Sequence, residues 1–139
     1  MAHARHVIEL AVRIGNRPGE LAKLWSAISQ VGLNILAYCA YSDRSEGVVL
    51  FVTEDAPTTR RALETAGYDC KENPVVLVSA VDHVGAVAAL GACLGAAGIN
   101  ILYSYASSSG TNRFHAVFKT DDDTAAIRLL ETGALRDAA

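Results

Sequence analysis

Charge is scarce in this chain, and the little there is has no basic bias. Lys, Arg, Asp and Glu together make 19% of its 139 residues, and the net charge is -3 at neutral pH. No stripe of Lys and Arg appears, which argues against a nucleic-acid partner, whose phosphates need one. Cysteine is also rare. Cys39, Cys70 and Cys93 are odd in number and widely spaced, which excludes a closed disulfide framework and any C-x-x-C metal pattern. Reduced thiols in a cytoplasmic protein are the simpler reading. The four histidines, His3, His6, His83 and His115, show no ligand spacing. No Cys/His or Ser/His/Asp set offers a nucleophile, so no catalytic residue, metal or cofactor is expected. The opening Met1-Ala2-His3-Ala4-Arg5-His6 lacks the apolar stretch of a signal peptide. The longest nearly uncharged run, Val84 to Ile99, is too short to cross a bilayer, and no membrane partner is expected.

What the chain has is a repeat. Shifted by 66 residues, it aligns with itself from Gly15 to Gly67 without a gap. Gly19 meets Gly85, Leu24 meets Leu90, and Asn34-Ile35-Leu36 meets Asn100-Ile101-Leu102. Asp55 falls on Asp121 and Leu63 on Leu129. Two modules of about 65 residues follow, 1–73 and 74–139, with the boundary near Asn73-Pro74. A lone module of that size buries only about 60% of its unfolded surface. The copies should therefore pack on each other, on a second chain, or both, and the 51% apolar content leaves surface for it.

Each module reads β-α-β-β-α-β. In the first, His6 to Ile14 alternates as a strand does, and Gly15 to Gly19 breaks it. Pro18 suits the first turn of a helix, which Asn16 or its neighbour would cap. Leu21, Leu24, Trp25, Ile28 and Val31 form one helical stripe, closed by Gly32. Leu33 to Tyr41 and Val48 to Val52 read as strands, Asp55 as the cap of a second helix with Pro57 in its first turn, and Tyr68 to Glu72 as a last strand. The second module repeats this with strands at Val75 to Val81, Ile99 to Ala106 and Phe114 to Lys119, and helices at Val84 to Ala97 and Thr124 to Thr132. Only Ala134-Leu135-Arg136 remains for its final strand, which should be short or missing. The order predicts an α+β fold: two ferredoxin-like units, each an antiparallel sheet with both helices on one face.

Two constellations carry candidate chemistry. At the strand-to-helix elbows, Asn16 to Glu20 and Asp82 to Ala86, free backbone amides meet a positive helix end, and Gly19 and Gly85 have no Cβ to block approach. A carboxylate is the natural guest. Charge-assisted hydrogen bonds of about 1.5–3 kcal/mol each, plus about 0.3–1 kcal/mol from the dipole, are enough for micromolar to millimolar affinity, roughly -8 to -4 kcal/mol. The plainer alternative is that each glycine only permits a tight turn. Asn34 and Asn100, at the second strands, likewise read either as ligand contacts or as residues that fix the turn before them. Asp121-Asp122-Asp123 reads as helix capping rather than a metal site. The helix Val84 to Ala97 carries no charge, so it should be buried all round, against the other module or another chain. Tyr103 and Tyr105 share one face of their strand, on either the free sheet face, a pocket or the core.

Asn16-Arg17-Pro18-Gly19, an amphipathic helix and then Gly32-Leu33-Asn34-Ile35 resemble the ACT domain, the amino-acid-sensing module of metabolic regulation. The likeness is strongest to its serine-binding kind in phosphoglycerate dehydrogenases. It covers nearly the whole chain, twice, as in small stand-alone tandem ACT proteins. The resemblance implies a non-enzymatic regulator that binds a free amino acid at interfaces between modules, in a homodimer, and acts on a metabolic enzyme or regulator. It implies ligand contacts from Asn16, Arg17, Pro18, Gly19, Glu20 and Leu21 and from Asn34, Ile35 and Leu36. In the second copy these become Asp82, His83, Val84, Gly85 and Ala86, with Asn100, Ile101 and Leu102. The second elbow departs from the pattern: it lacks the Pro, and Asp82 suits an ammonium better than a carboxylate. The alternative is an interaction adaptor without obligatory ligand, similar to the glycine-cleavage-system repressor. Arg17 and Asn34 also resemble the phosphate-handling pair of acylphosphatases, but the second copy has His83 at the Arg position and no Gly-rich phosphate loop.

Overall fold

The computed structural model describes residues 2–108 and 112–131. Ten elements follow in order: β1 (His3–Gly15), α1 (Glu20–Ser29), β2 (Ile35–Asp43), β3 (Glu46–Thr53), α2 (Ala56–Thr65), β4 (Cys70–Val81), α3 (Ala86–Ala96), β5 (Ile101–Ser108), β6 (Arg113–Thr120) and α4 (Asp123–Glu131). No helix among the described residues is long and apolar enough to cross a membrane. The chain divides into two compact units. One is Ile8–Asn73; the other joins the stretch before Ile8 to Pro74 and beyond.

In the Ile8–Asn73 unit the strand order is β2-β3-β1-β4, the ferredoxin-like arrangement. The pairs β1–β3 and β2–β3 are antiparallel. Alternation sends Leu10 and Val12 of β1 and Val49 and Phe51 of β3 to one face. There they bury against Leu24 and Ile28 of α1 and Leu63 of α2. Each such side chain contributes about 1.5–3 kcal/mol by leaving water. Trp25 stands edge-on to Phe51 at 5.5 Å and to Tyr38 at 5.1 Å. Asp55 caps α2, accepting the Thr58 amide at 3.1 Å, with proline in its first turn. Beyond α2 the chain closes in a Schellman turn. Gly67 sits at φ 93, and the Tyr68 amide reaches back to the Leu63 carbonyl at 2.9 Å.

The other unit has the order β1-β4-β6-β5. Val76, Val78 and Ala80 of β4 and Phe114, Ala116 and Phe118 of β6 pack on Leu90 and Leu94 of α3 and on Ala126 and Leu130 of α4. The fourth strand place belongs to the beginning of β1, with Ala4 inside this core. The strand expected at Ala134-Leu135-Arg136 lies outside the described residues. The chain start thus packs where a module read strictly in sequence order would need its own last strand. β1 is longer than the alternating run at His6 suggests because its early residues serve this unit.

Three further readings are corrected, and a fourth, on α3, is met in part. Pro18 is not in the helix. It is the second residue of a type II turn from Arg17 to Glu20, in which Gly19 takes φ 87 and the Glu20 amide donates to the Arg17 carbonyl at 3.3 Å. Asn16 does not cap α1, which has no side-chain cap. The α1 helix stops at Ser29, and Val31 lies beyond it and exposed. Within one chain the α3 helix is buried on one face, so burial on its other face would need a second chain. Ala86, Leu90 and Leu94 are buried, while Val84 before it is fully exposed and Val87 is 55% exposed.

The internal repeat also changes register. Gly15 to Ile35 match their counterparts at 66 residues, but beyond the second hairpin the core counterparts lie 67 apart. Phe51 matches Phe118, Thr59 matches Ala126, and Leu63 matches Leu130. The cap matching Asp55 is therefore Asp122, whose carboxylate accepts the Ala125 amide at 3.0 Å. Four residues lie between the paired Ser42 and Gly47 of the first hairpin, and five between the equivalent pair, Ser108 and Phe114, of the second.

Candidate functional site

The first elbow is held by Asn16. Its backbone amide donates to the Ser45 carbonyl at 3.2 Å, and its side-chain Nδ2 donates to the Arg44 carbonyl at 3.2 Å. These bonds fasten the elbow to the β2–β3 turn, where Arg44 takes the left-handed φ of 58 that a side chain resists. Asp82 does the same task in the second unit, with its side chain accepting where that of Asn16 donates. Its amide donates to the Asn112 carbonyl at 2.8 Å, and its carboxylate accepts the Ser108 hydroxyl. Asparagine and aspartate at this position are therefore latches between an elbow and a hairpin.

A cavity of about 210 Å³ opens at the first elbow. Asn16, Arg17, Glu20 and Leu21 line it from the elbow side, and Tyr41, Ser42, Gly47 and Val48 from the hairpin. The Glu20 amide is used in the turn, and the Lys23 amide donates to the Gly19 carbonyl at 3.1 Å. Between them, the amides of Leu21 and Ala22 have no capping side chain among the described residues. A Cβ at Gly19 would touch nothing within 4 Å, so the approach to these amides is open. Arg17 pairs with Glu20 at 3.1 Å, its own side chain mostly exposed.

The second elbow has the same backbone and different chemistry. Gly85 takes φ 89, and the Ala86 amide donates to the His83 carbonyl at 3.0 Å. Val84 stands in the place of Pro18, and His83, in that of Arg17, is exposed, its Nδ1 lying 3.0 Å from the Val84 carbonyl. No side chain caps α3 among the described residues.

Asn34, Ile35 and Leu36 are not at this cavity. They lie at the beginning of β2, with Asn34 just before it, whereas Tyr41 and Ser42 lie near its end, roughly 20 Å away at about 3.3 Å per residue. Asn34 donates to Glu54 at 3.3 Å. In the other unit the Asn100 amide donates to Asp121 at 3.0 Å, and the Asp121 amide returns to the Asn100 carbonyl. Ile101 and Leu102 follow at the start of β5, where the pairing with β6 shifts register. A single unit thus separates the two constellations. Tyr41, Ser42, Gly47 and Val48 escaped the sequence reading because they reach the elbow only through the β2–β3 pairing.

All three acidic residues at the start of α4, Asp121 to Asp123, are occupied. Asp121 holds Asn100, Asp122 caps the helix, and Asp123 accepts the Thr120 amide at 3.0 Å and hydroxyl at 2.7 Å and pairs with Lys119 at 3.0 Å. Burial works to raise the Asp123 carboxyl, but the Thr120 and Lys119 bonds outweigh it and hold it below the usual carboxylate range. Tyr103 and Tyr105 pair with Lys119 and Val117, on the sheet face turned away from the helices.

No family model matches the chain, and no curated protein matches it. Solved structures do. A protein of Bacteroides thetaiotaomicron, BT0572, is 22% identical with a TM-score of 0.84, over 93% of this chain and 89% of that one. The regulatory subunit of aspartate kinase from Thermus thermophilus, in a ligand-free form, is 18% identical with a TM-score of 0.69, over 94% and 95%. That of Thermus flavus is 19% identical with a TM-score of 0.65, over 94% and 95%. At these identities the likeness is one of fold.

Proposed function

We propose that this chain is a non-enzymatic regulatory protein of the tandem ACT kind. It binds a free amino acid at the first elbow, a second copy closes the site, and binding is passed to a metabolic enzyme or regulator. The observation that carries the reading is a cavity lined by Asn16, Arg17, Glu20 and Leu21 at an uncapped helix start; Gly19, the residue before that helix, has open space where a Cβ would be but does not itself line the cavity. A ligand carboxylate takes the Leu21 and Ala22 amides and the positive end of α1, and Arg17 exchanges Glu20 for it. The shared fold with proteins named as regulatory subunits of aspartate kinase supports a sensor of this type. Coupling then follows if the ligand favours one pairing of copies over another.

Surface for a second copy is present. The α3 helix carries no charged residue and leaves Val87 half exposed, and β5, the edge strand of its unit, is also uncharged from Ile101 to Ser108. Edges that must stay single usually carry charge or proline. The same surface favours the second reading, an interaction adaptor that needs no ligand.

Titration calorimetry of the whole chain against each of the twenty amino acids tests the proposal. Heat is expected for at least one, with Kd between about 1 μM and 1 mM. Gly19→Ala, strained by its left-handed φ at about 1–2 kcal/mol, should weaken that binding at least tenfold, roughly the loss of one charge-assisted hydrogen bond. Absence of heat with every amino acid defeats the sensor, and a complex with a partner protein formed without any amino acid would then favour the adaptor.

A further inference from the structure

In the unit that contains the chain start, the sheet face turned away from the helices carries a cluster with no part in the elbow. Ser79 of β4 faces His115 of β6 across the ladder. His3 and Arg5 reach the same face from β1, the strand beside β4, since residues two apart on a strand share a face. These four and the buried Leu77 line a recess of about 310 Å³. Ala4 and Glu131 complete its rim from the helix side, where Glu131 accepts the Ala4 amide at 3.3 Å.

The cluster is rich in donors and positive charge. The Ser79 hydroxyl oxygen accepts Arg113 Nε at 3.1 Å, and its carbonyl accepts Arg113 Nη2 at 2.9 Å. That leaves the hydroxyl proton to give and sets a second guanidinium beside the recess. His3, Arg5 and His115 are exposed, and none of them forms an ion pair among the described residues. Among the described residues, the strand positions of this unit on this face hold no Asp or Glu, in a chain whose net charge is -3.

The other unit shows that the fold does not require these groups. There Arg13 and Glu46 hold the places of Ser79 and Arg113 and neutralise each other at 2.8 Å, and Val48 holds the place of His115. The two copies have diverged from a closed ion pair to an open set of donors.

We propose that this recess binds the phosphate group of a small phosphate monoester. The Arg5 guanidinium, the Ser79 hydroxyl and the rings of His3 and His115 hold the phosphate, and the organic part lies against Leu77. Donors arrive from three strands, more than the two oxygens of a carboxylate use well. A phosphate monoester offers three oxygens and a charge of about -1.5 to -2, and a guanidinium meets it as a planar fork. The site goes beyond the sensor reading and stands whether or not the elbow binds.

The test is a two-dimensional NMR titration of the whole labelled chain, at constant ionic strength, with inorganic phosphate, glycerol 3-phosphate and acetate. The expected result is saturable shifts at Arg5, Ser79 and His115 with both phosphates, with Kd between about 10 μM and 1 mM, the ester at least as tight as inorganic phosphate and acetate at least about tenfold weaker. Arg5→Gln and His115→Gln should each weaken phosphate binding about tenfold, and Arg5→Lys should keep part of it. Both positions are exposed, so the variants retain the fold, and their spectra verify it. Lys71→Gln makes the same charge change at an exposed position of β4 in the other unit and should leave binding unchanged. Acetate binding as tightly as phosphate, or an equal loss in the Arg5→Gln and Lys71→Gln variants, overturns the site. So does binding of inorganic phosphate with exclusion of the ester. Shifts confined to Gly15–Leu21 place the anion at the elbow and overturn this site alone.

Discussion

Replacing Ala4 by aspartate lowers the stability of the protein by about 3–5 kcal/mol, the cost typical of an uncompensated charge in a core. Ala4 is only 3% exposed and packs among Val76, Val78, Leu90 and Leu130. Nothing in that cluster can pair with a carboxylate, so the new group must either protonate or drag the strand out. His6→Asp, an exposed change on the same strand, is the control and should stay within about 0.5 kcal/mol of the parent. Urea unfolding of both variants gives the comparison. Hydrogen exchange adds the location, since amides of β4 and β6 should lose protection in the Ala4 variant. Equal stability of the two variants would mean that the chain start is not part of this core.

Phe51→Ala removes the largest fully buried side chain of the Ile8–Asn73 unit, and a loss of about 3–5 kcal/mol is expected. The cost combines lost transfer energy with a cavity that α1, α2 and the sheet close only partly. The ring also meets Trp25 edge-on at 5.5 Å, an arrangement that adds about 0.5–1.5 kcal/mol. Trp25 is the only tryptophan, so its fluorescence reports the same event. Tyr38→Ala is the informative contrast. Tyr38 also meets Trp25, at 5.1 Å, but is 55% exposed, and its truncation should cost well under half as much. Denaturant midpoints of the two variants decide it.

The strand and helix order was legible because the apolar positions keep their periods. Leu24 and Ile28 recur at helical spacing, and Leu10 and Val12 alternate, and these are the residues that fill the first core. What escaped was non-local. Nothing in Ala2 to Val7 announces that this stretch completes a unit whose other strands begin more than sixty residues later, because strand pairing across such a distance leaves no local period. The ungapped repeat was right as far as the second strand and then misled. One extra residue in the β5–β6 connection makes Asp122 and not Asp121 the helix cap. With three aspartates in a row, composition could not show which one caps.

The candidate site was legible in part. Arg17, Glu20 and Leu21 do line a cavity, as the turn chemistry of Arg17-Pro18-Gly19 suggests. The role of Asn16 was not, because its partners Arg44 and Ser45 are brought to it by a hairpin. In the α3 helix the face that meets its own sheet was not legible, for a different reason. Its residues are uniformly apolar or small, so they mark no boundary between the face that meets Phe114 and Phe118 and the face left open.

The most direct measurement is a crystal structure of the whole chain grown with all twenty amino acids in excess. The account predicts a bound amino acid at the first elbow, its carboxylate oxygens about 2.7–3.2 Å from the Leu21 and Ala22 amides. An elbow that holds only water under those conditions, with Glu20 still paired to Arg17, would contradict it.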